Sequence, residues 1–327
     1  MQKTLSVINL RAIRANAEKI RRGLNGKKFF AVVKADAYGH GAEAVSRSIE
    51  DLADGFCVAL AEEGAALRIA GISKPILVFT PPLDGYDVAR IAHYNLTATV
   101  NCLKTAKLLG GLPCHIKVNT GMNRSGCNLD ELPAILKALP PESVTGIYSH
   151  MYAPENDAAC ARQLYLFGLA EKLAKSRNDG ICAHLSASGG FLRGGAYLKD
   201  GVRCGILLYG YAPSGFSRKG YIPAMKIYAR KTQITRFIGG GVGYNSADKN
   251  YGKIGVYRLG YADGFFRGVP LGEKTLCMDA FLRDEKLGGN DLLCVMDDAD
   301  AYASRAGTIS YEVLTSVTQR SERVYES

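Results

Sequence analysis

AVVKADAYGHG, residues 31–41, ends an apolar, β-branched run on a lysine and follows it at once with a turn rich in Gly, His and Tyr. A charged lysine inside a buried strand is expensive unless it is paired or gives up its proton. Lys34 therefore reads either as a strand-end lysine that reaches water or as a reactive amine. The pattern around it recurs along the chain. Short apolar runs FFAVVK (29–34), GFCVAL (55–60), PILVFT (75–80), LTATV (96–100), CHIKVN (114–119), VTGIYSH (144–150), ICAHLSAS (181–188) and VRCGILLYG (202–210) alternate mostly with helical patterns. Helix candidates include a first amphipathic segment over about residues 8–23, AEEGAALRIAG, and NLDELPAILKAL with its leading Asn as cap. Eight β runs over roughly 200 residues match a (β/α)8 TIM barrel. An open doubly wound sheet would carry a Gly-rich dinucleotide fingerprint after its first strand, and this sequence has none.

From about residue 220 the texture changes. AMKIYARKTQITRFI, KIGVYRLGY and DLLCVMDD, separated by GGGVG, YADG and LGGND, read as strands and turns without long helices between them. The expected division is a barrel over 1–215 and a smaller, mostly β domain over 216–327. GGG at 239–241 reads as a hairpin turn rather than a phosphate loop, because no helical pattern follows it.

Composition narrows the function classes. The 327 residues are 47% hydrophobic, enough for a sizeable core, and carry a formal charge of +10. The 41 Lys and Arg are dispersed and lack an aromatic-interleaved basic motif, which argues against nucleic acid and for a basic surface that attracts small anions. The opening MQKTLSVINLRAIRANAEKI has no uninterrupted apolar core of a signal peptide, and no run is long enough to cross a bilayer. The expectation is a cytoplasmic protein. Nine scattered cysteines, none in a CxxC pair, fit reduced thiols and argue against a disulfide framework or structural zinc.

In a barrel the C-terminal ends of the strands share one mouth. Lys34 ends the first run, Lys117 falls in the fifth, His150 ends the sixth and Ser188 the seventh, while Arg203 lies early in the eighth. A single strand-end polar residue commonly just meets water. Five together, with three cations among them, outline a pocket. Desolvation and neighbouring positive charge both push a lysine toward its neutral, nucleophilic form, which suits an anionic carbonyl cofactor such as pyridoxal phosphate. Small residues at Ser188-Gly189-Gly190 and Cys204-Gly205-Ile206 let backbone N–H groups approach a phosphate there.

At this point a resemblance becomes specific. VVKADAYGHG resembles the cofactor-attachment signature of the alanine racemases, and the likeness continues through HIKVNTGMNRSG (115–126), GIYSH (146–150), VRCGILLYG, VGYN (242–245), GYADG (260–264), CMD (277–279) and ISYEV (309–313). The family consists of pyridoxal-phosphate enzymes with a barrel and a C-terminal β domain, which interconvert L- and D-alanine and supply D-alanine for peptidoglycan. The resemblance implies that Lys34 holds the cofactor and serves as one of two proton-transfer bases. Tyr244 is the other, supplied by the partner subunit of a head-to-tail homodimer. It also implies that Arg203 faces the pyridine nitrogen and that His150 orients this arginine. Tyr38, Ser188, Gly205, Ile206 and Tyr311 match phosphate contacts, Arg124 and Met278 match groups that hold the substrate carboxylate, and Tyr261 lies on the entrance path. Lys117 matches a position that is a carbamylated lysine in some relatives, with an unmodified lysine equally open.

Several positions depart from the family pattern. Asn119 stands where many relatives have Asp, and Ala187 where they have Asn, so each is expected to loosen a hydrogen bond in the pocket. FFRGVPLGEKTL (265–276) is shorter than its counterpart, as is the segment before ISYEV, which threatens the dimer more than the barrel. Two rival readings accompany the racemase for alanine. One is a serine-preferring racemase, against which Tyr311 speaks. The other is a pyridoxal-phosphate-handling barrel with little turnover, which would need neither Tyr244 nor the β domain.

Overall fold

The computed structural model describes residues 4–285 and 291–327. Of the described residues, Ile13–Ala37 and Ala42–Ile222 form one compact unit; those up to Ala12, Tyr38–Gly41 and those from Pro223 onward form the other. Against a division at 215/216, the chain's first strand and the segment Tyr38–Gly41 group with the C-terminal residues.

That strand, β1 (Leu5–Asn9), was not expected. Five residues are too few for alternation to stand out from the helix pattern that follows. Asn9 marks the junction, its Oδ1 accepting the Ala12 N–H at 2.8 Å, so the helix runs over Leu10–Gly23.

The barrel strands are β2 (Lys28–Val32), β3 (Gly55–Val58), β4 (Ile76–Val78), β5 (Ala98–Val100), β6 (Cys114–Lys117), β7 (Val144–Tyr148), β8 (Cys182–His184) and β9 (Gly201–Cys204). Each falls within or overlaps one of the eight expected runs. All pair in parallel, β2 with β3 and β9, β3 with β4, and β5 through β8 in sequence. A bridge from Leu77 to Thr97 joins β4 to β5, and Arg203 N–H to the Ser186 carbonyl at 3.0 Å joins β9 to the segment after β8. The sheet therefore closes. Near-continuous apolar runs follow from that closure, since side chains are buried on both faces.

Helix starts follow local chemistry. The Asp84 side chain accepts the Tyr86 and Asp87 N–H groups ahead of Gly85–His93, and the Asn156 side chain accepts the Ala159 N–H ahead of Asp157–Lys175. The expected cap at Asn128 is not one. Its N–H donates to Glu131 Oε2 at 2.7 Å, and the helix starts later, at Leu132, where Pro133 occupies a first-turn position that needs no N–H partner.

In the second unit β1 pairs antiparallel with β10 (Met225–Arg236). The hairpin β11 (Gly241–Val242) and β12 (Asn245–Ser246) follows the glycine turn, in which Gly239 and Gly240 have φ of 89° and 87°. No helix follows, but the hairpin itself turns at Gly243-Tyr244, not at residues 239–241 where the turn was expected. Strands β13 (Lys253–Arg258), β14 (Phe281–Asp284), β15 (Leu292–Met296) and β16 (Glu322–Glu326) complete a sheet of order β14-β13-β10-β1-β16, with β15 also on β10. The unit is mostly β but its described residues include the α-helices Ala299–Ala306 and Ser310–Ser316, and ISYEV leads into the second.

Candidate active site

Lys34 begins a turn of unusual hand. Ala35, Asp36, Ala37 and Tyr38 all have φ near 50°, the left-handed region that costs an L-residue about 1–2 kcal/mol each. Such backbone persists where its surroundings over-determine it. Here the Ala35 N–H donates to Glu63 Oε1 at 2.6 Å, the Ala37 N–H to the Val33 carbonyl at 2.8 Å, and the Ala42 N–H to Asp36 Oδ1 at 2.7 Å. Burial pulls the Lys34 ammonium below its ordinary range and Arg124 adds to that, while Glu63 and Cys57 oppose it. Lys117, at the end of β6, is lowered to about 8 by burial first and then by Arg124, Arg203 and Lys34. Positive charge at this mouth outweighs negative.

Arg124 rides on the loop after β6. Its ends are closed by Asn119 N–H to the Cys127 carbonyl at 2.7 Å and Cys127 N–H to the Lys117 carbonyl at 2.9 Å. Asn119 organises the interior. Its Oδ1 accepts the Gly121 and Asn123 N–H groups, each at 3.1 Å, and its amide donates to the side-chain oxygens of Asn123 and Asn128 at 3.0 and 3.2 Å. A carboxylate at this position has no N–H to donate. The expected loosening at Asn119 is thus absent, because the amide both donates and accepts. Ala187 stands at the N-cap of the helix Ser188–Arg193 and offers it no side-chain acceptor.

Arg203 is only 2% exposed. Its Nη1 donates to His184 Nδ1 at 2.7 Å and to the His184 carbonyl at 2.6 Å, and its Nη2 to the carbonyls of Ser149 and Leu185 at 2.6 and 3.2 Å. The imidazole hydrogen-bonded to this guanidinium is therefore that of His184, a correction to the orienting role expected of His150. His184 Nε2 lies 2.8 Å from His115 Nδ1, and its ring stacks on Tyr148 at 5.1 Å with an interplanar angle of 4°. The Tyr148 hydroxyl meets Thr99 Oγ1 at 2.9 Å. Burial, followed by the charge of Arg203, lowers His115 and His150 to about 3 and His184 well below the ordinary value. All three are neutral near pH 7.

Ser188 is buried, and its hydroxyl oxygen accepts the N–H groups of Gly205 at 3.2 Å and Leu207 at 3.5 Å. Ile206 lies between them and is buried. Lys34, Lys117, Arg124, His150, Ser188, Arg203, Gly205 and Ile206 are thus all in the barrel unit.

The other expected residues are in the second unit. The Tyr38 and Tyr311 rings stand 6.0 Å apart. Tyr244 is at the tip of the β11–β12 hairpin, 80% exposed, after Gly243 with φ of 61°. A two-residue hairpin with Gly in its first central position projects the next side chain outward. Tyr261 and Met278 ride on neighbouring backbone, with Tyr261 N–H to the Cys277 carbonyl at 3.1 Å and Ala262 N–H to the Met278 carbonyl at 2.9 Å.

Sequence reasoning missed His115, His184 and Glu63. A usable signal existed for the histidines, since period two places His115 on one strand face with Lys117, and His184 with Ser186 and Ser188. Nothing in the sequence separates Glu63 from Glu62, which points out to Arg90.

A closed parallel barrel whose mouth gathers desolvated lysines, two arginines and a serine among backbone N–H groups has the makings of an enzyme site for an anionic ligand. The family model for the alanine racemase N-terminal domain matches residues 8–213. Alanine racemases of Dinoroseobacter shibae and Streptococcus equi subsp. zooepidemicus are 35% and 34% identical over 98% of this chain, covering 97% and 98% of their own lengths. Among solved structures, alanine racemase of Clostridium difficile 630 superposes with a TM-score of 0.90 at 27% identity, over 100% of this chain and 96% of that one. The biosynthetic enzyme of Pseudomonas aeruginosa does so at 0.85 and 29%, over the full length of both. This chain belongs to the alanine racemase family. Alignments of 353 and 368 positions against 327 residues mean that these relatives carry residues this chain lacks.

Proposed function

We propose that this protein is a racemase that interconverts L- and D-alanine with pyridoxal phosphate at the barrel mouth. The observation that carries the reading is Lys34, an amine held at a strand end where burial and Arg124 favour loss of its proton. The residues present fit the cofactor. An excess of cations suits its phosphate and phenolate, and the Ser188 hydroxyl, held by the Gly205 and Leu207 N–H groups, suits the phosphate oxygens together with the backbone N–H of Ile206 between them. When bound, pyridoxal phosphate supplies a carbonyl for covalent attachment and a conjugated ring that withdraws electrons from the substrate α-carbon.

The chain's own groups divide the remaining work. Neutral Lys34 accepts a proton on one face of the substrate. Tyr244, brought by a second copy of the chain in a head-to-tail dimer, serves the opposite face, and two bases on opposite faces invert the stereocentre. Arg203 spends both terminal nitrogens on His184 and carbonyls, leaving Nε as its remaining donor. A guanidinium donates only and keeps its proton, so beside a ring nitrogen it holds that nitrogen unprotonated and limits side reactions. Arg124 suits the substrate carboxylate. Alanine is supported as substrate by the names of the relatives, among them a Clostridium difficile 630 enzyme solved in complex with cycloserine and a Bacillus anthracis enzyme with bound L-Ala-P.

The test is to incubate cofactor-loaded protein with L- or D-alanine in D2O and to follow α-proton exchange and chirality together. Exchange with inversion from both enantiomers is expected. Exchange from one enantiomer without inversion would leave Lys34 as a base and remove Tyr244, and no exchange from either would overturn the reading.

A further inference from the structure

We propose that Glu63 is the positioning residue for Lys34, its carboxylate tying the left-handed turn after the lysine to the backbone that follows the adjacent strand. The proposal rests on the reading of Lys34 as the reactive amine.

One carboxylate collects three backbone donors from two segments. Oε1 accepts the Ala35 N–H at 2.6 Å, and Oε2 accepts the N–H groups of Ala59 and Leu60 at 2.6 and 3.1 Å. An ionised carboxylate accepts all of them, whereas an amide at the same place offers one oxygen and turns N–H against N–H on the other side. Glu63 lies in the first turn of the helix Ala61–Ile69, where negative charge is favoured, so the clamp is anchored on a regular element. Ala35 is exposed, and without Glu63 its N–H would turn to water. Four successive L-residues in the left-handed region need fixed partners, and the first N–H of that run is the one Glu63 takes. The neighbouring Glu62 points outward to Arg90.

The same carboxylate is the negative side chain acting on the Lys34 amine. Arg124 opposes it and Cys57 acts weakly with it, while Lys117, Arg203 and the neutral His150 complete the charged and titratable surroundings. Removing Glu63 therefore has two separable effects, a loosened turn and a lysine that loses its proton at lower pH.

The experiment uses the full chain without cofactor and the variants E63Q, E63D and, as control, E62Q. Acetic anhydride labelling of Lys34 is followed against pH by mass spectrometry. The rate at which added pyridoxal phosphate becomes fixed to Lys34 on borohydride reduction is measured in parallel. In E63Q attachment should slow by about tenfold or more, and the labelling midpoint should move down by about half a pH unit or more. E63D keeps the charge but lacks the reach to both segments, so attachment slows with a far smaller change of midpoint. E62Q should match the native protein. Native attachment rates in both E63Q and E63D would overturn the clamp. If the native chain fails to attach pyridoxal phosphate at Lys34, the reading of Lys34 falls instead, and the midpoints still report whether Glu63 governs the amine. Should E63Q not fold, E63D alone carries the test through its attachment rate.

Discussion

Arg203 Nη1 donates to His184 Nδ1 across 2.7 Å, and this bond dictates the protonation of the imidazoles behind it. An acceptor Nδ1 places the His184 proton on Nε2, from which it is donated 2.8 Å to His115 Nδ1. His115 in turn keeps its proton on Nε2. The row is a cation followed by two neutral rings, with no proton free to travel from Arg203.

The barrel should accordingly lose stability in acid. The folded chain holds His115 at about 3 and His184 well below its ordinary value near 6.5, so the unfolded chain binds protons that the native one refuses. Stability is fully present above the unfolded value and falls with pH below it, by about 1.4 kcal/mol per pH unit for each such histidine. Urea midpoints between pH 7 and 5 measure the slope. His184→Gln should flatten it by about one histidine's share, and an unchanged slope would contradict a neutral His184.

Lys34→Ala should abolish both the absorbance of covalently held pyridoxal phosphate and all turnover. The folded fraction should not fall, since the substitution removes a desolvated ammonium from among like charges. A spectrum identical to the native one would remove Lys34 from its assigned role.

Tyr244→Phe should retain the cofactor and slow α-proton exchange from L-alanine far more than from D-alanine. If the tyrosine serves the partner's barrel, mixing Lys34→Ala with Tyr244→Phe protein creates dimers with one intact site. About a quarter of native activity should then return after subunit exchange, given random pairing. No recovery, with exchange of subunits demonstrated by mass, would place both groups on one chain.

Lys117, lowered to about 8, is partly neutral at physiological pH and open to carbon dioxide, which would convert a crowding cation into an anion. Protein in 13C-bicarbonate should show a carbamate carbon resonance that disappears in Lys117→Met. Without the modification, the lowered value makes the apoprotein gain stability as pH rises from about 8 toward 10.5, because the unfolded chain then holds the extra proton. Lys117→Met should lose that gain.

Asp263 is buried, accepting the Gly260 N–H at 2.9 Å through Oδ2, with Arg258 Nη1 and Arg320 Nε each 3.6 Å from Oδ1. Arg320 also reaches Asp279 at 2.8 Å, beside Met278. Asp263→Ala leaves donors facing a cavity and should destabilise this unit by about 1–3 kcal/mol. The loops bearing Tyr261 and Met278 should loosen, raising KM while the rate of cofactor attachment at Lys34 stays native. Thermal melting together with steady-state kinetics checks both halves.

By itself the sequence determined the eight strands, since each buried run is marked by its own apolar stretch and bounded by turn residues. It also singled out Lys34, Lys117, His150, Ser188 and Arg203 as candidates for the mouth, because strand ends are local features and the mouth follows from barrel closure. The hairpin under Tyr244 was misplaced by two residues, because it turns on the single Gly243 and not on the adjacent glycines 239–241. Tertiary structure alone decided what depends on partners far apart in the chain. The strand Leu5–Asn9 exists because β10 and β16 flank it. His184 rather than His150 meets Arg203 because side chains inside the closed barrel choose neighbours by strand height. Glu63 differs from Glu62 only in the side of the helix from which it leaves, and that difference carries it to the backbone beside Lys34.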